Sequence, residues 1–267
     1  MSYNIGSLNI RKSLRTEDQN RDFHTFMHGF IRDAKLDIVA FQEIGRKDAM
    51  ESVLNSLSAK WTGWKGSHSY GSEFAFIWNS NRVSECSKSH TPQIYQNYRS
   101  DYRMMRDPYY GRFAPNDLEL NTEFRLVNVH LVHGGSDSLA AIGERKLECG
   151  LSKGVIHQTL DVHRYGNFKR SFTIVLGDYN LDCETCNQIG LDRVKTVQTE
   201  KTTVKNKEDD YSRNYDHFSY DAVKNESVEC EAYRFDAVST YFKGSFEAYR
   251  YNVSDHVPIV FKIGKSD

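Results

Sequence analysis

The chain has 267 residues, of which 39% are hydrophobic and 27% charged, and this composition is sufficient for one large globular domain spanning residues 1–267. The formal net charge of -1 excludes a strong overall attraction for polyanions. Any polyanion would therefore have to be held by local arginines or by a bound cation. No apolar run approaches the roughly 18 residues that a membrane helix needs, so we expect no membrane partner.

Cysteine usage and the first strand indicate a cytoplasmic protein. The five cysteines are odd in number and irregularly spaced, which favours reduced thiols over a disulfide framework. Cys183 and Cys186 form a CxxC pair, but no second ligand pair follows, so free thiols are favoured over a zinc half-site. A strand predicted from Tyr3 leaves no room for a secretory leader.

The first third of the chain predicts alternating strands and helices. A strand over 3–10 is followed by a capping box at Thr16 and Gln19, then by a strand over 36–44. Between them, apolar residues recur at helical spacing, namely Phe23, Phe26, Met27, Phe30, Ile31 and Ala34. A helix over 48–58 and a strand over 73–78 come next, before a long loop over 84–106.

The remainder predicts buried strands with one long helix. A strand over 123–132 precedes a helix over 138–161, and a strand over 171–176 ends at Gly177. Later strands are predicted over 215–220 and 257–263. The polar stretch over 200–214 is typical of a solvated loop, with a substrate-contacting arm as the alternative. Strands interspersed with few long helices indicate an α/β layer fold with mixed sheets.

Polar residues stand at the ends of several of these buried strands. They are Asn9, Glu43, His130 and the pair Asp178 and Asn180. Residues two apart in an extended chain point to the same side, so Asp178 and Asn180 should face one site while Tyr179 points away. Each residue alone is more often a cap, a surface acid or a satisfied histidine, and only their conjunction indicates a site.

The sequence Ser254-Asp255-His256 adds an acid and an imidazole before the last strand. Phosphodiester hydrolysis requires a cation to offset charge, a base for water and an acid for the leaving oxygen. Carboxylate and amide oxygens suit magnesium or calcium, and the set therefore predicts a metal-dependent phosphodiesterase.

Five segments in this order resemble the endonuclease/exonuclease/phosphatase superfamily, and the LNIR and GDYNLDC forms are most similar to its deoxyribonuclease I branch. The segments are LNIR at 8–11, DIVAFQE at 37–43, NVHL at 128–131, GDYN at 177–180 and SDHVP at 254–258. The resemblance implies two packed mixed β-sheets flanked by helices. It also implies that Glu43, supported by Asn9 and Asp255, binds Mg²⁺, with Mn²⁺ or Ca²⁺ as alternatives.

The same resemblance implies the catalytic roles. Asp178 would orient or deprotonate the attacking water, and Asn180 would position the phosphate. His130 and His256 would stabilise the pentacovalent phosphorus or protonate the leaving oxygen. Two further acids would support these histidines, Asp216 for His256 and Glu73 for the other, although one residue is inserted after Tyr70 relative to the family.

Four residues are assigned to substrate binding by the resemblance. They are Arg11, Arg46, Tyr70 and Arg106, with a surface salt bridge as the alternative for the last and a one-residue displacement at Arg46. Arginines and tyrosines also alternate nearby, which favours nucleic acid, unless the tyrosines pack in the core and the arginines are solvated. These residues are Tyr98, Arg99, Tyr102, Arg103, Arg106, Tyr109, Tyr110 and Arg112.

The sequence therefore predicts a magnesium-dependent endonuclease acting on DNA. A phosphatase or phospholipase acting on inositol phosphates, nucleotides or sphingomyelin would use the same site and is the main alternative. A binding module that has lost catalysis is disfavoured, because every required acid and imidazole has a candidate. Cys183 resembles a disulfide cysteine of secreted deoxyribonucleases, but no cysteine just before Tyr215 could pair with it.

Overall fold

Two mixed β-sheets pack face to face at the centre of the molecule. The computed structural model describes residues 2–11, 17–45, 49–65, 72–86, 93–94, 104–117, 122–135, 137–164, 170–205 and 208–265. Sheet 1 has the order β12-β13-β1-β2-β4-β3, and β1 and β2 pair in parallel. Its strands are β1 (Tyr3–Asn9), β2 (Ile38–Gly45), β3 (Trp61–Lys65), β4 (Ser72–Asn79), β12 (Val228–Arg234) and β13 (Ile259–Lys265).

Sheet 2 contains a matching central pair of parallel strands, β8 and β9. Its order is β10-β11-β9-β8-β7-β5, and β6 pairs with β7. Its strands are β5 (Val83–Glu85), β6 (Gln93–Ile94), β7 (Tyr109–Pro115), β8 (Thr122–His130), β9 (Arg170–Asp178), β10 (Val194–Val197) and β11 (Asp216–Asp221). The predicted arrangement of two packed mixed sheets flanked by helices is confirmed.

Apolar side chains from both sheets fill the space between them, as expected for face-to-face packing. Ile5, Phe76, Phe113, Leu126 and Phe261 belong to this buried layer. Their burial removes the inner face of each sheet from water, and burial of apolar surface is the main favourable contribution to folding.

Helices cover the outer faces of both sheets. They are α1 (Glu17–Asp33), α2 (Ala49–Ser56), α3 (Leu139–Gly150), α4 (His157–Val162), α5 (Cys183–Asn187), α6 (Ala237–Phe242) and α7 (Phe246–Asn252). Phe23, Phe26, Met27 and Phe30 of α1 are buried in the core on sheet 1, which confirms the helical periodicity predicted there. Among the described residues, no helix has the length and apolar content needed to cross a membrane.

The helix predicted over 138–161 is divided by a π-helical turn. Ser138 begins α3, its side chain accepting a hydrogen bond from the amide of Ala141, and the π turn Leu151–Ile156 joins α3 to α4. A π turn inserts extra backbone into a helix, a change that apolar periodicity does not reveal. The proposed capping residue Thr16 lies outside the described part of the chain.

Several short elements escaped the sequence prediction. Strand β12 is an edge strand without a clean alternation of burial, and β7 contains Gly111 and Pro115, which weaken a strand signal. The loop predicted over 84–106 in fact includes the end of β5 and all of β6. Within 200–214, Thr203 pairs with His256 in an isolated bridge, so part of this stretch contacts the site region instead of forming only a solvated loop.

Gly177 supplies a backbone conformation and a close approach that a larger residue would block. Its φ is +132°, and an added Cβ would lie 2.1 Å from the carbonyl oxygen of Val129. We expect Gly177→Ala to lower the free energy of unfolding by about 3 kcal/mol or more, measured by urea denaturation. Gly143→Ala in α3 is the matched control, because a Cβ there meets nothing within 4 Å, and it should be neutral or stabilising by up to about 1 kcal/mol. Equal midpoints for the two variants would contradict this account of the turn.

Candidate active site

The two parallel strand pairs bring four predicted site residues to one edge of the sandwich. Asn9 ends β1 and Glu43 lies near the end of β2, whereas His130 and Asp178 end β8 and β9 and stand opposite each other in register. Because parallel strands end at the same edge of a sheet, their terminal side chains meet there. The structure therefore assembles residues that are up to 169 positions apart in sequence.

Asn9 connects the two sheets at this edge. Its side-chain nitrogen donates to Glu43 Oε1 at 3.0 Å and to Asp178 Oδ2 at 3.1 Å. Its side-chain oxygen accepts from the backbone amide of Arg11 at 3.0 Å, which fixes the orientation of the amide group. As placed here, Asn9 supports the two carboxylates through its N–H groups, and direct ligation of a metal by its oxygen stays a prediction.

Three residues around this edge adopt the left-handed backbone conformation that side chains other than glycine rarely adopt. They are Arg11 at φ 45°, Glu43 at φ 55° and Asn180 at φ 50°. The pairing of β2 with β4 shifts register between Gln42 and Gly45, and this bulge reorients Glu43 out of the regular strand. Such strain persists only where surrounding contacts impose it, and it is typical of functional sites.

The GDYN segment presents Asp178 and Asn180 to the site and buries the tyrosine between them. Asp178 Oδ1 accepts from the Asn180 amide at 2.9 Å, and the Asn180 side chain donates to the carbonyl of Leu131 at 2.9 Å. The hydroxyl of the fully buried Tyr179 donates to the Val175 carbonyl at 3.1 Å. The opposite orientations predicted for these side chains are confirmed.

His256 forms a dyad with Asp216, as the sequence predicted. Its Nδ1 lies 2.8 Å from Asp216 Oδ2, and its Nε2 lies 3.7 Å from Asp178 Oδ2. Burial alone would lower the pKa of His256, but the negative charges of Asp216 and Asp178 outweigh it and raise that pKa to about 10. The ring therefore carries a positive charge at neutral pH.

His130 lies near the same oxygen of Asp178 as His256 and near Glu43 as well. Its Nε2 is 3.6 Å from Glu43 Oε1 and 3.7 Å from Asp178 Oδ2. The predicted partner Glu73 lies in β4, but its side chain falls outside the described part of the structure, so that pairing stays a prediction. Arg46 and Tyr70 also lie outside the described residues, and their assignment to substrate binding is likewise untested.

Asp255 lines the pocket beside His256, but its carboxylate pairs with two arginines. Asp255 Oδ2 lies 3.7 Å from an Arg11 guanidinium nitrogen and 3.5 Å from one of Arg250. In this arrangement Asp255 holds Arg11 at the rim of the pocket, where the guanidinium remains accessible to an anion. Its predicted role as a metal ligand stays a prediction.

The pocket around these groups also contains residues that the sequence did not single out as substrate contacts. Thr203 and Val204 come from the polar stretch over 200–214, whose alternative interpretation as a substrate-contacting arm was the available signal. His133 and Tyr215 also line it. Within the part of the chain that the structure describes, the pocket is lined by Arg11, Glu43, Arg106, His130, His133, Asp178, Asn180, Thr203, Val204, Tyr215, Asp255 and His256.

The described part of the arginine and tyrosine patch divides between the site and the core. Arg106 lines the pocket, and its guanidinium donates to the carbonyls of His130 and Leu131 at 3.3 and 3.4 Å. Arg112 instead pairs with the buried Glu123, and Tyr109 stacks on Phe76 between the sheets. The alternative of core packing is therefore correct for Tyr109, whereas Arg112 is not solvated, as that alternative expected, but pairs with a buried acid. The patch members at 98–103 lie outside the described residues.

Solved structures share this architecture along the whole chain. D. rerio TDP2 complexed with a single strand DNA product is 17% identical, with a TM-score of 0.67 and 99% of each chain covered. An endonuclease/exonuclease/phosphatase family protein from Bacteroides thetaiotaomicron is 16% identical, with a TM-score of 0.62, covering 100% of this chain and 99% of that one. Another from Bacteroides vulgatus is 15% identical, with a TM-score of 0.64 and full coverage of both chains.

The chain has the endonuclease/exonuclease/phosphatase fold. This agrees with the resemblance carried by the five sequence motifs. No protein-family profile and no curated protein sequence matches the chain. These structures show the fold of the chain. The chemistry that the site can perform follows from its own residues.

The donor set at the strand ends of this endonuclease/exonuclease/phosphatase fold fits a hard divalent cation. Oxygens of Glu43 and Asp178 accept hydrogen bonds from the same Asn9 amide nitrogen, so two carboxylates are gathered at one point, with His130 near both of them. Carboxylate oxygens are the ligands that Mg²⁺ prefers. Asp178, Asp216 and His256 also have ligand atoms within 4.8 Å of one another, but the hydrogen bond between the last two identifies them as a histidine–carboxylate dyad.

The dyad predicts a specific shift in titration. Because Asp216 is a principal cause of the raised pKa of His256, Asp216→Asn should move that pKa down from about 10 toward the ordinary value near 6.5. NMR titration of the imidazole in metal-free protein measures this. Asp221→Asn, at the opposite end of β11, is the matched control and should leave the titration of His256 unchanged.

The same shift has a consequence for stability. A folded-state pKa above the unfolded value near 6.5 adds stability that is fully present below about pH 6.5 and is lost as pH rises through about 10. The wild-type free energy of unfolding should therefore decline over this window more steeply than that of Asp216→Asn. Parallel pH profiles for the two proteins would show that the dyad does not hold a charged imidazole.

Proposed function

We propose that this chain is a divalent-metal-dependent phosphodiesterase that hydrolyses DNA. The observation that carries the proposal is the convergence of Glu43, Asp178 and the His256–Asp216 dyad in one pocket whose rim includes Arg11. The anionic groups suit a cation, while the charged imidazole and the guanidinium suit a phosphate. A purely structural cluster would not need opposite charges facing a solvent-accessible pocket.

The cation would be held by Glu43 together with Asp178, and when bound it would offset negative charge that develops on the phosphate. Asp178 is oriented by two hydrogen bonds, from the Asn9 side chain and the Asn180 amide. It is therefore placed to orient a water molecule and to accept its proton. Attack by that water on phosphorus breaks the bond to the leaving oxygen on the opposite side, and the leaving oxygen takes up the proton that His256 carries on Nε2.

His256 would act on the phosphate as a cation and as an acid. Its Nδ1 is occupied by Asp216, which fixes the ring and directs Nε2 into the pocket toward Asp178. A charged Nε2–H donates to a phosphate oxygen and stabilises the five-coordinate transition state. His130, near Glu43 and Asp178, is placed for a second such contact, and Arg11 and Arg106 supply guanidinium groups at the pocket.

DNA is the favoured substrate for two reasons. The D. rerio TDP2 structure, which shares the fold, is a complex with a single strand DNA product. Arg11 stands at an open rim where a flanking phosphate of a polymer could reach it, as well as the scissile one. We infer Mg²⁺ as the natural cation, with Mn²⁺ able to replace it.

The proposal predicts metal-dependent cleavage by the purified protein. Supercoiled plasmid and single-stranded DNA should be cut with Mg²⁺ present, and chelator should abolish the activity. RNA, inositol phosphates, nucleotides and sphingomyelin complete the panel. Intact DNA combined with release of inorganic phosphate from a small molecule would replace the nuclease assignment with the phosphatase alternative, and inactivity on the whole panel would contradict hydrolysis altogether.

Asp178→Asn should lower turnover by about 10²–10⁴-fold, because the amide can neither accept the proton from water nor contribute a charged ligand. His256→Ala should produce a loss of similar size by removing the charged donor. Steady-state kinetics with saturating Mg²⁺ measures both. The control Asp221→Asn removes a buried acid that pairs with Arg193 away from the pocket, and it should retain wild-type turnover. Retained activity in Asp178→Asn would remove this residue from the mechanism.

Glu43→Gln should act mainly on the cation. The neutral amide replaces a charged oxygen ligand, so the Mn²⁺ or Mg²⁺ concentration for half-maximal activity should rise by about tenfold or more. Isothermal titration calorimetry without substrate should show the same weakening for Mn²⁺. If Glu43→Gln bound Mn²⁺ as tightly as the wild type, Glu43 would not be a ligand of the cation.

A further inference from the structure

Glu148 is a buried acid behind the pocket that has no role in the chemistry above. It lies in the last turn of α3 and is 0% exposed. Its two carboxylate oxygens accept hydrogen bonds from two separate backbone segments, Oε1 from the amide of Met105 at 2.7 Å and Oε2 from the amide of Val132 at 2.6 Å. Burying a carboxylate costs free energy, and burial does raise the pKa of Glu148, so its retention here requires a reason.

Both segments held by Glu148 carry residues of the pocket. Met105 immediately precedes Arg106, and Val132 follows the end of β8, which carries His130. The carbonyl oxygens of this strand end are also used by site residues. Leu131 accepts from the Asn180 side chain at 2.9 Å and from Arg106 at 3.4 Å.

A second charged residue of α3 supports the same loop. Arg145, one turn before Glu148, donates to the carbonyl of His133 at 2.8 Å and to Asp137 at 3.1 Å. Helix α3 thus holds the chain after β8 through two contacts. The Glu148 carboxylate accepts from a backbone amide, and the Arg145 guanidinium donates to a backbone carbonyl. Charge-assisted hydrogen bonds of this kind are stronger and more directional than neutral ones.

We propose that Glu148 is a positioning residue that fixes Arg106 and His130 relative to each other and to the reacting phosphate. The inference rests on the proposed function, because it assigns Glu148 to the same reaction. It acts through the two backbone amides and does not touch substrate. A carboxylate is required, since both of its oxygens accept and it has no donor, whereas a glutamine would turn an NH₂ group toward one of the two amides.

Kinetics of Glu148→Gln provide the first test. Loss of one amide contact releases either the Arg106 segment or the end of β8, and misplacement by about 1 Å can cost about a hundredfold in rate. We expect kcat/KM on DNA to fall by about tenfold to a hundredfold. The split between KM and kcat reports whether phosphate binding by Arg106 or catalysis at His130 is disturbed.

Glu123→Gln is the matched control. Glu123 is equally buried and lies in β8, but roughly 23 Å of strand separates it from His130, and it pairs with Arg112 and Arg125. It should lose stability without a comparable loss of kcat/KM. Equal kinetic losses in Glu148→Gln and Glu123→Gln would show that general destabilisation, and not positioning, explains both.

A double-mutant cycle with Arg106→Ala identifies the route of the effect. If Glu148 acts through Arg106, Glu148→Gln should cost much less kcat/KM in the Arg106→Ala background than in the wild type. Glu123→Gln should cost the same in both backgrounds. Full additivity of Glu148→Gln with both Arg106→Ala and His130→Ala would overturn the inference.

Hydrogen exchange supplies a measurement that does not depend on activity. The amides of Met105 and Val132 should be protected in the wild type, and at least one should exchange faster in Glu148→Gln. If Glu148→Gln fails to fold, Glu148→Asp is used instead. It keeps the charge, but its shorter side chain cannot reach both amides, and the same kinetic and hydrogen-exchange measurements apply. An inactive wild type would contradict the proposed function, whereas an active wild type with kinetically normal Glu148 variants would contradict only the positioning role.

Discussion

The arrangement depends on holding two carboxylates from different sheets close together. Asn9 does this by donating from one amide nitrogen to both Glu43 and Asp178. Two carboxylates that accept from the same amide nitrogen repel each other, and one neutral amide does not cancel two negative charges. We propose that a divalent cation offsets this repulsion and that the other groups of the pocket act together with it. His130 lies near both carboxylates and His256 near Asp178, and a charged imidazole there lowers the repulsion.

Hydrogen bonds behind the strand ends hold the two carboxylates in place against this repulsion. Gln42, next to Glu43 in β2, donates to Asn128 of β8 at 2.7 Å and to Ser7 of β1 at 3.1 Å, which ties the two sheets together just below the site. Buried polar contacts of this kind specify register, because slipping a strand would leave them unsatisfied. Glu148 performs the corresponding task on the outer face of sheet 2. The left-handed backbone at the site is tolerable because these contacts surround it.

Much of the site could be predicted because strand ends are visible in sequence. Buried apolar runs have a recognisable length and composition, and the polar residue that ends each one is a candidate whatever the register. The pairing of Asp216 with His256 was implied by the family resemblance alone, and the two side chains are hydrogen-bonded in the structure. What sequence could not show is which neighbour a charged group prefers. Asp255 pairs with Arg11 and Arg250, and such contacts depend on side-chain direction in three dimensions. The short edge strand β12 was missed for a related reason, since its pairing comes from β13 and not from its own pattern.

We propose that the paired carboxylates of Glu43 and Asp178 hold one divalent ion in position to act on a phosphate. Anomalous diffraction from crystals soaked in Mn²⁺ tests it most directly, because the signal locates the metal independently of any activity. We predict one strong anomalous peak within ligand distance of the Glu43 carboxylate, on the side facing Asp178, and its loss in crystals of Glu43→Gln. A peak located only at surface acids, or no peak at Mn²⁺ concentrations that fill Mn²⁺ sites in other proteins, would show that Glu43 and Asp178 do not hold the ion.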